Sequence, residues 1–131
     1  MVEYADDEIV PIKELVALYE SVGWLLYAAD PDALARAVDR SSLVVTARDD
    51  DQLIGLARCL TDEVSVLLLQ EVLVRPEHQR ARIGTELVGR CLAAHPSIGR
   101  VIANSAGEPF QTDFATSVGF VPLTTGLLLE R

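Results

Sequence analysis

The chain has 131 residues, half of them hydrophobic and 24% charged, with 20 acidic side chains against 11 basic ones and a formal net charge of -9. That length fits a single globular domain with a real core. The acidic balance argues against nucleic acid, whose phosphates need a basic face; it fits a cationic or amine-bearing partner, although an acidic surface more often just keeps a protein soluble.

In chain order, Met1 to Val10 is short and acidic and reads as an edge strand. Pro11 suits a first helical position, and Ile12, Leu15, Val16 and Tyr19 recur at helical spacing up to Gly23. A second helix follows in "YAADPDALARAV", with Asp30 as N-cap, Pro31 in the first turn and Leu34, Ala37 and Val38 on its buried face. The period then changes. Leu43 to Ala47 and Leu53 to Leu60 are β-rich apolar runs joined by Asp49, Asp50 and Asp51, a hairpin with an acidic tip. After a turn at Asp62-Glu63 comes a longer strand, Val64 to Val74, apolar enough to be central except for Gln70 and Glu71.

From Ile83 the pattern is helical again, with Ile83, Leu87, Val88, Cys91 and Leu92 on one stripe and His95-Pro96 closing the helix. "RVIAN" is a short strand, and Pro109 to Ser117 is a helix ended by Gly119. "FVPLTTGLLLER" supplies one or two final strands. Three strands in a meander, then strand-helix-strand-helix-strand, make a mixed α/β sheet with helices packed on it. Cys59 and Cys91 lie in apolar runs and read as buried, reduced thiols. No leader opens the chain and no apolar stretch reaches about 18 residues, so the expectation is a cytoplasmic protein with no membrane partner.

The stretch "VRPEHQRARIGTEL", residues 74–87, carries the chemistry. A buried strand ends at a proline, and Arg75, Arg80 and Arg82 crowd the mouth of a helix in an otherwise acidic chain. The first turn of a helix holds unpaired N–H donors and the positive end of its dipole, which suits an anion such as phosphate. The plain alternative is a strand-helix connection with solvated arginines.

"VLVRPEHQRARIGTELVGRCL" is similar to the acetyl-CoA signature of the GNAT superfamily of N-acetyltransferases, in which a strand ending V-x-P leads to Q-x-x-G-x-G (or A) and an apolar-striped helix. Val74, Pro76, Gln79, Ile83, Gly84 and Leu87 match it, and "FATSVGFVPL" resembles the family's F-Y-x-x-x-G-F segment through Phe114, Gly119 and Phe120. The order of elements is the family's as well. The resemblance implies a mixed, mostly antiparallel sheet flanked by helices, and acetyl transfer from acetyl-CoA to a primary amine of a small molecule or protein, without a metal.

On that resemblance, backbone groups of Leu73 and Val74 would pair with the pantetheine arm. Gln79, Arg80, Ala81, Arg82, Ile83, Gly84 and Thr85 would form the pyrophosphate loop, and Phe114 and Asn104 would also meet coenzyme A; Asn104 reads equally as a turn residue. Two positions depart from the family. Arg82 stands where the first signature glycine belongs, and an arginine serves there if its φ is negative and its guanidinium turns onto a phosphate. Ala115 stands where many members carry the tyrosine that protonates the departing thiolate.

Glu71 is the one charged residue inside the third strand's apolar run. It is either an exposed sheet position or, as family members use an acid there, a general base or an anchor for the ammonium. Gln70 faces the opposite side and reads as structural. His78 is expected to face solvent, and His95 complements a helix dipole with no metal spacing around it. Trp24, Tyr19 and Tyr27 are an acceptor wall or ordinary core. The rival to an enzyme is a non-catalytic acyl-CoA-binding or interaction module, for which Arg82 and Ala115 speak. The apolar end "GLLLE" could form a homodimer edge.

Overall fold

A computed structural model describes residues 1–104 and 109–131. Its elements run β1 (Val2–Ala5), α1 (Ile12–Ser21), α2 (Leu25–Ala28), α3 (Pro31–Asp39), β2 (Leu43–Asp49), β3 (Gln52–Thr61), β4 (Leu67–Val74), α4 (Ile83–Ala94), β5 (Val101–Ala103) and α5 (Pro109–Ser117). The strands form one sheet in the order β1-β2-β3-β4-β5. All neighbours pair antiparallel except β4 and β5, which are parallel.

Local chemistry explains most of the boundaries. Asp30 Oδ1 accepts from the Ala33 amide at 3.2 Å and Pro31 takes the first turn, so α3 starts where capping predicts. Asp50 and Asp51 both adopt positive φ, 48° and 71°, giving the two-residue turn whose twist suits a β2–β3 hairpin. Pro11 precedes α1 as its N-cap rather than opening it. Ile12 is exposed and Leu18 is buried, so the buried stripe is Leu15, Leu18 and Tyr19.

The sheet separates two cores. One face carries α4, with Ile83, Leu87, Val88 and Cys91 against Val45, Ile54, Ala57, Cys59, Leu67 and Leu69. The other carries α1 and α3, with Leu15, Leu18, Tyr19, Leu34 and Val38 against Leu53, Leu56 and Leu73. Cys59 and Cys91 are buried free thiols. Gly55 lets α4 come close: a Cβ there would sit 3.1 Å from the Leu73 carbonyl oxygen and 3.2 Å from Leu87 Cδ1.

Two expectations change. The third strand begins at Leu67, not Val64, because Asp62 Oδ1 accepts from the amides of Val64 and Ser65 and bends the chain there; Val64 is exposed. The final strands are not formed: residues 120–131 carry no helix or strand, and every residue from Val121 onward is exposed.

Candidate active site

Strand β4 is irregular in its middle. Arg58 of β3 pairs with Glu71, but the next residue, Cys59, pairs with Leu69, so Gln70 is an extra residue, a β-bulge. The bulge changes which face the buried residues serve. Leu67 and Leu69 pack toward α4, whereas Leu73 packs toward α1 and α3. It also coincides with the end of the pairing to β5, which covers only Leu67 to Leu69, plus a bond from the Asn104 amide to the Leu69 carbonyl at 3.1 Å. The sheet therefore opens at Gln70, within β4. Beyond Gln70, the β5-facing edge of β4, including Leu73 and Val74, has no strand beside it among the described residues.

After β4 a 3₁₀ turn at Pro76–His78 leads into the arginine loop. Gln79 Nε2 donates to the Val74 carbonyl at 3.0 Å, tying the loop to the strand end. Arg75 is committed to β3: its amide donates to Ile54 at 2.8 Å and its Nε to the Leu53 carbonyl at 2.9 Å. Arg80 and Arg82 are exposed and both adopt left-handed backbone, φ 68° and 66°. The negative φ under which an arginine would serve at this position is thus not found. Arg82 keeps the conformation a glycine would hold without strain, at a cost of roughly 1–2 kcal/mol for a residue with a Cβ.

The payoff is direction. Arg82 is the N-cap of α4, no side chain caps it, and the helix's bonding begins with Glu86 N to Arg82 O at 3.1 Å. The amides of Ile83, Gly84 and Thr85 precede that first bond, as the first-turn donors of a helix do. Together with the left-handed residues Arg80 and Arg82, they form a set of donors of the kind that suits an anion.

These elements border a hollow of about 600 Å³ lined among others by Val72, Leu73, Val74, Gln79, Arg80, Arg82, Ile83, Gly84, Thr85 and Phe114. Ala81 is exposed and does not line it. A second hollow of about 690 Å³ lies along β5 and includes Asn104 and Ala115 in its wall. Trp24, Val72 and Phe114 line both, so the two hollows adjoin at the opening in the sheet. Gly84 is small because of Phe114: a Cβ on it would lie 3.0 Å from the ring's Cζ and 3.2 Å from Cε1. The Cα–H of this glycine thus faces α5 rather than the mouth of the loop.

Glu71 is placed differently from the expectation of a carboxylate open to an acceptor. It is 4% exposed and lines neither hollow. Its Oε1 accepts from Arg58 Nε at 2.5 Å and from the Tyr19 hydroxyl at 2.6 Å. Burial, and then the adjacent carboxylate, push the Tyr19 hydroxyl well above its usual range. Burial opposes the charge on Arg58, but the bond and charge of Glu71 outweigh it and hold the guanidinium above its ordinary value. Tyr19 in turn packs against Trp24 and Tyr27, ring centroids 6.0 and 5.6 Å away. The aromatic group is thus core at Tyr19 and cavity wall at Trp24.

Asn104 is exposed, and its Nδ2 donates to Gln70 Oε1 at 2.6 Å, bracing the bulge. His78 is not solvent-facing: it borders the loop hollow, its Nε2 lies 3.5 Å from Asp49 Oδ2, and its Nδ1 is buried without a hydrogen-bond partner. The bulge and the role of Arg58 were missed from the sequence. A lone arginine in the apolar run of β3 and a lone glutamate in that of β4 were the available signal, since antiparallel neighbours of opposite charge stabilise a sheet. Among the described residues, no group of three or more His, Cys, Asp or Glu could hold a metal ion, and no helix is long and apolar enough to cross a membrane.

Comparison with known proteins agrees with this architecture. The profile of the acetyltransferase (GNAT) family matches residues 9–108. Among solved structures, a GNAT-family acetyltransferase from Streptococcus pneumoniae TIGR4 superposes with a TM-score of 0.85 at 27% identity, covering 100% of this chain and 98% of its own. A ribosomal-protein-alanine N-acetyltransferase from Brucella melitensis biovar Abortus 2308 shares the fold at 16% identity, with a TM-score of 0.76 and coverage of 100% and 99%. An aminoglycoside N-acetyltransferase in complex with CoA shares it at 10% identity, with a TM-score of 0.77 and coverage of 100% and 95%. A search of curated proteins finds no match.

Proposed function

The chain belongs to the acetyltransferase (GNAT) family, which draws its acyl group from acetyl-CoA, and from that premise we propose that it acetylates a primary amine by direct attack while both substrates are bound. The observation that carries this reading is that the two hollows adjoin, with Trp24, Val72 and Phe114 in the walls of both. One hollow offers the phosphate-binding loop, the other room for an acceptor, and they meet at the opening in the sheet.

The residues fit acetyl-CoA. The amides of Ile83, Gly84 and Thr85, with Arg80 and Arg82 at the rim, would hold the pyrophosphate, and the unpaired edge of β4 at Leu73 and Val74 would pair with the pantetheine amides as an added strand does. Bound there, acetyl-CoA supplies the acyl group and a thiol leaving group. Backbone N–H groups past the bulge are suited to donate to a thioester oxygen as it gains charge.

The attacking amine must be neutral. An alkylammonium ordinarily titrates near ~10.4, and a poorly solvated site favours its uncharged form. We assign that task to the apolar wall of Trp24, Val72 and Phe114. Glu71, held by Arg58 and Tyr19 and absent from both linings, acts as a positioning residue that fixes the bulge and the aromatic wall. Ala115 lines the hollow along β5 but has no proton to give. A thiol leaving group of pKa around ~8.5 can depart as thiolate, so the step does not require an acid.

Ala115 equally favours a second reading, a module that binds acyl-CoA and transfers nothing. Initial rates of thiol release with acetyl-CoA and a panel of amines separate the two. Amide product, with double-reciprocal lines that intersect, supports direct transfer. Parallel lines would indicate an acyl-enzyme instead, and calorimetric binding of acetyl-CoA without thiol release from any amine would favour the module.

A further inference from the structure

Among the described residues, one buried side-chain polar atom lacks a hydrogen-bond partner, and it is His78 Nδ1. The imidazole forms part of the wall of the loop hollow, which also includes Arg80 and Arg82, and its side chain is 23% exposed. Its two nitrogens face two carboxylates. Nε2 lies 3.5 Å from Asp49 Oδ2 at the end of β2, and Oδ1 of the same carboxylate receives the Met1 ammonium at 3.1 Å. Nδ1 lies 4.0 Å from Glu77 Oε1, beyond hydrogen-bond length, and the glutamate side chain is 59% exposed. Asp113 of α5 lies in the same wall. A buried polar atom without a partner is costly and calls for a specific cause, a bound ion among them.

The rest of the wall says what would complete it. Arg80, Arg82 and the first-turn amides of α4 suit an anion. With its N–H on Nε2 toward Asp49, a neutral imidazole presents a lone pair at Nδ1, which repels an anion. The imidazolium carries a proton on both nitrogens and attracts one. Resting on the reading that acetyl-CoA occupies this hollow, we propose that His78 takes up a proton as the coenzyme binds and donates its Nδ1–H to a phosphate oxygen. Nε2–H stays on Asp49, which steadies the ring. The torsion that turns the ring is soft, so Nδ1 swings toward the hollow as the phosphate arrives. One proton passes from solvent or buffer to Nδ1, and nothing else is transferred. Since the bound state holds the extra proton, affinity rises as pH falls across the range where imidazole changes charge, about pH 5 to 8. Both the pyrophosphate and the 3′-phosphate of the coenzyme offer such an oxygen.

The test needs no turnover. Calorimetric titration of the full chain with acetyl-CoA near neutral pH, in two buffers of unlike ionisation enthalpy, counts the protons exchanged. The wild type should take up a fraction of a proton that His78→Gln does not. The variant should bind roughly tenfold more weakly near about pH 6, the size of one charge-assisted hydrogen bond, and within about twofold of wild type near about pH 8. Ring ¹⁵N spectra of the wild type need no variant: the chain has two histidines, and one should pass to the imidazolium form when acetyl-CoA is added. Acetyl-dephospho-CoA identifies the phosphate, since uptake that persists with it places the contact on the pyrophosphate and uptake that vanishes places it on the 3′-phosphate. Absence of acetyl-CoA binding would overturn the coenzyme reading and this inference together. Binding without proton uptake, uptake equal in wild type and His78→Gln, or two histidine rings unchanged by the coenzyme would overturn this inference alone.

Discussion

Arg58 and Glu71 face one another across β3 and β4, directly beside the bulge, with Nε and Oε1 2.5 Å apart and residue exposures of only 6% and 4%. An ion pair this deep is weak evidence for net stability, because desolvation offsets the attraction, yet removing one member is costly. Its position points to geometry. It locks the register where the strand changes face and the sheet begins to open.

Glu71→Gln should therefore act on stability before chemistry. It leaves the buried Arg58 uncompensated, for which the expected loss is about 3–5 kcal/mol in denaturant unfolding. Pairing it with Arg58→Met should recover much of that loss, a non-additivity that a double-mutant cycle reads directly. Where the variant still folds, its pH–rate profile should keep the wild-type shape, following the amine's own ionisation. Loss of one limb of the profile would instead make Glu71 the base.

Arg82→Gly separates backbone strain from charge. Glycine accepts φ 66° freely, so thermal stability should hold or rise by up to about 1 kcal/mol. Affinity for acetyl-CoA should nevertheless fall roughly tenfold at low salt, since a charged hydrogen bond contributes about 1.5–3 kcal/mol. The difference should shrink as ionic strength rises. Equal affinities at low salt would show that the guanidinium does not reach the phosphates.

At Gly84 the expected fault is mechanical. Alanine must push the Phe114 ring, 3.0 Å from the added Cβ, at a cost of about 1–3 kcal/mol of overpacking. Gly84→Ala should weaken acetyl-CoA binding by moving α5, and adding Phe114→Leu should restore part of it. A Gly84→Ala protein that binds normally and unfolds normally would contradict the assigned packing.

Acid stability has a specific source in the N-terminal half. Arg48 donates to Glu8 and to Glu14, the latter at 2.7 Å, and that bond holds the Glu14 carboxyl below its ordinary value. A carboxyl lowered in the folded state contributes stability that is present above its unfolded value and is lost as pH falls through the folded one. Arg48→Met should thus reduce stability near neutral pH and flatten the acid limb of the unfolding curve. An unaltered acid limb would remove Glu14 from that linkage.

The order of strands and helices was legible in the sequence because hydrophobic period and caps are local signals: Asp30-Pro31, Asp50-Asp51 and the Ile83–Cys91 stripe each announce their element. The loop of Arg80 and Arg82 was legible as a motif. The Gln70 bulge was not, because a register shift depends on the neighbouring strand, and without it Glu71 looks like a free carboxylate. Nor was the left-handed Arg82, whose conformation is imposed by the loop against the residue's own preference. The tail misled for a related reason: its composition is that of a strand, but a strand forms only where an edge receives it.

The account rests on acetyl-CoA lying between the α4 loop and the open edge of β4. Amide spectra of isotope-labelled protein titrated with acetyl-CoA test this most directly. The expected result is large shifts and slowed exchange for Leu73, Val74, Ile83, Gly84 and Thr85, with the amides of β1 and β2 unmoved. Saturable binding that leaves those five amides unchanged, or no binding at all, would contradict it.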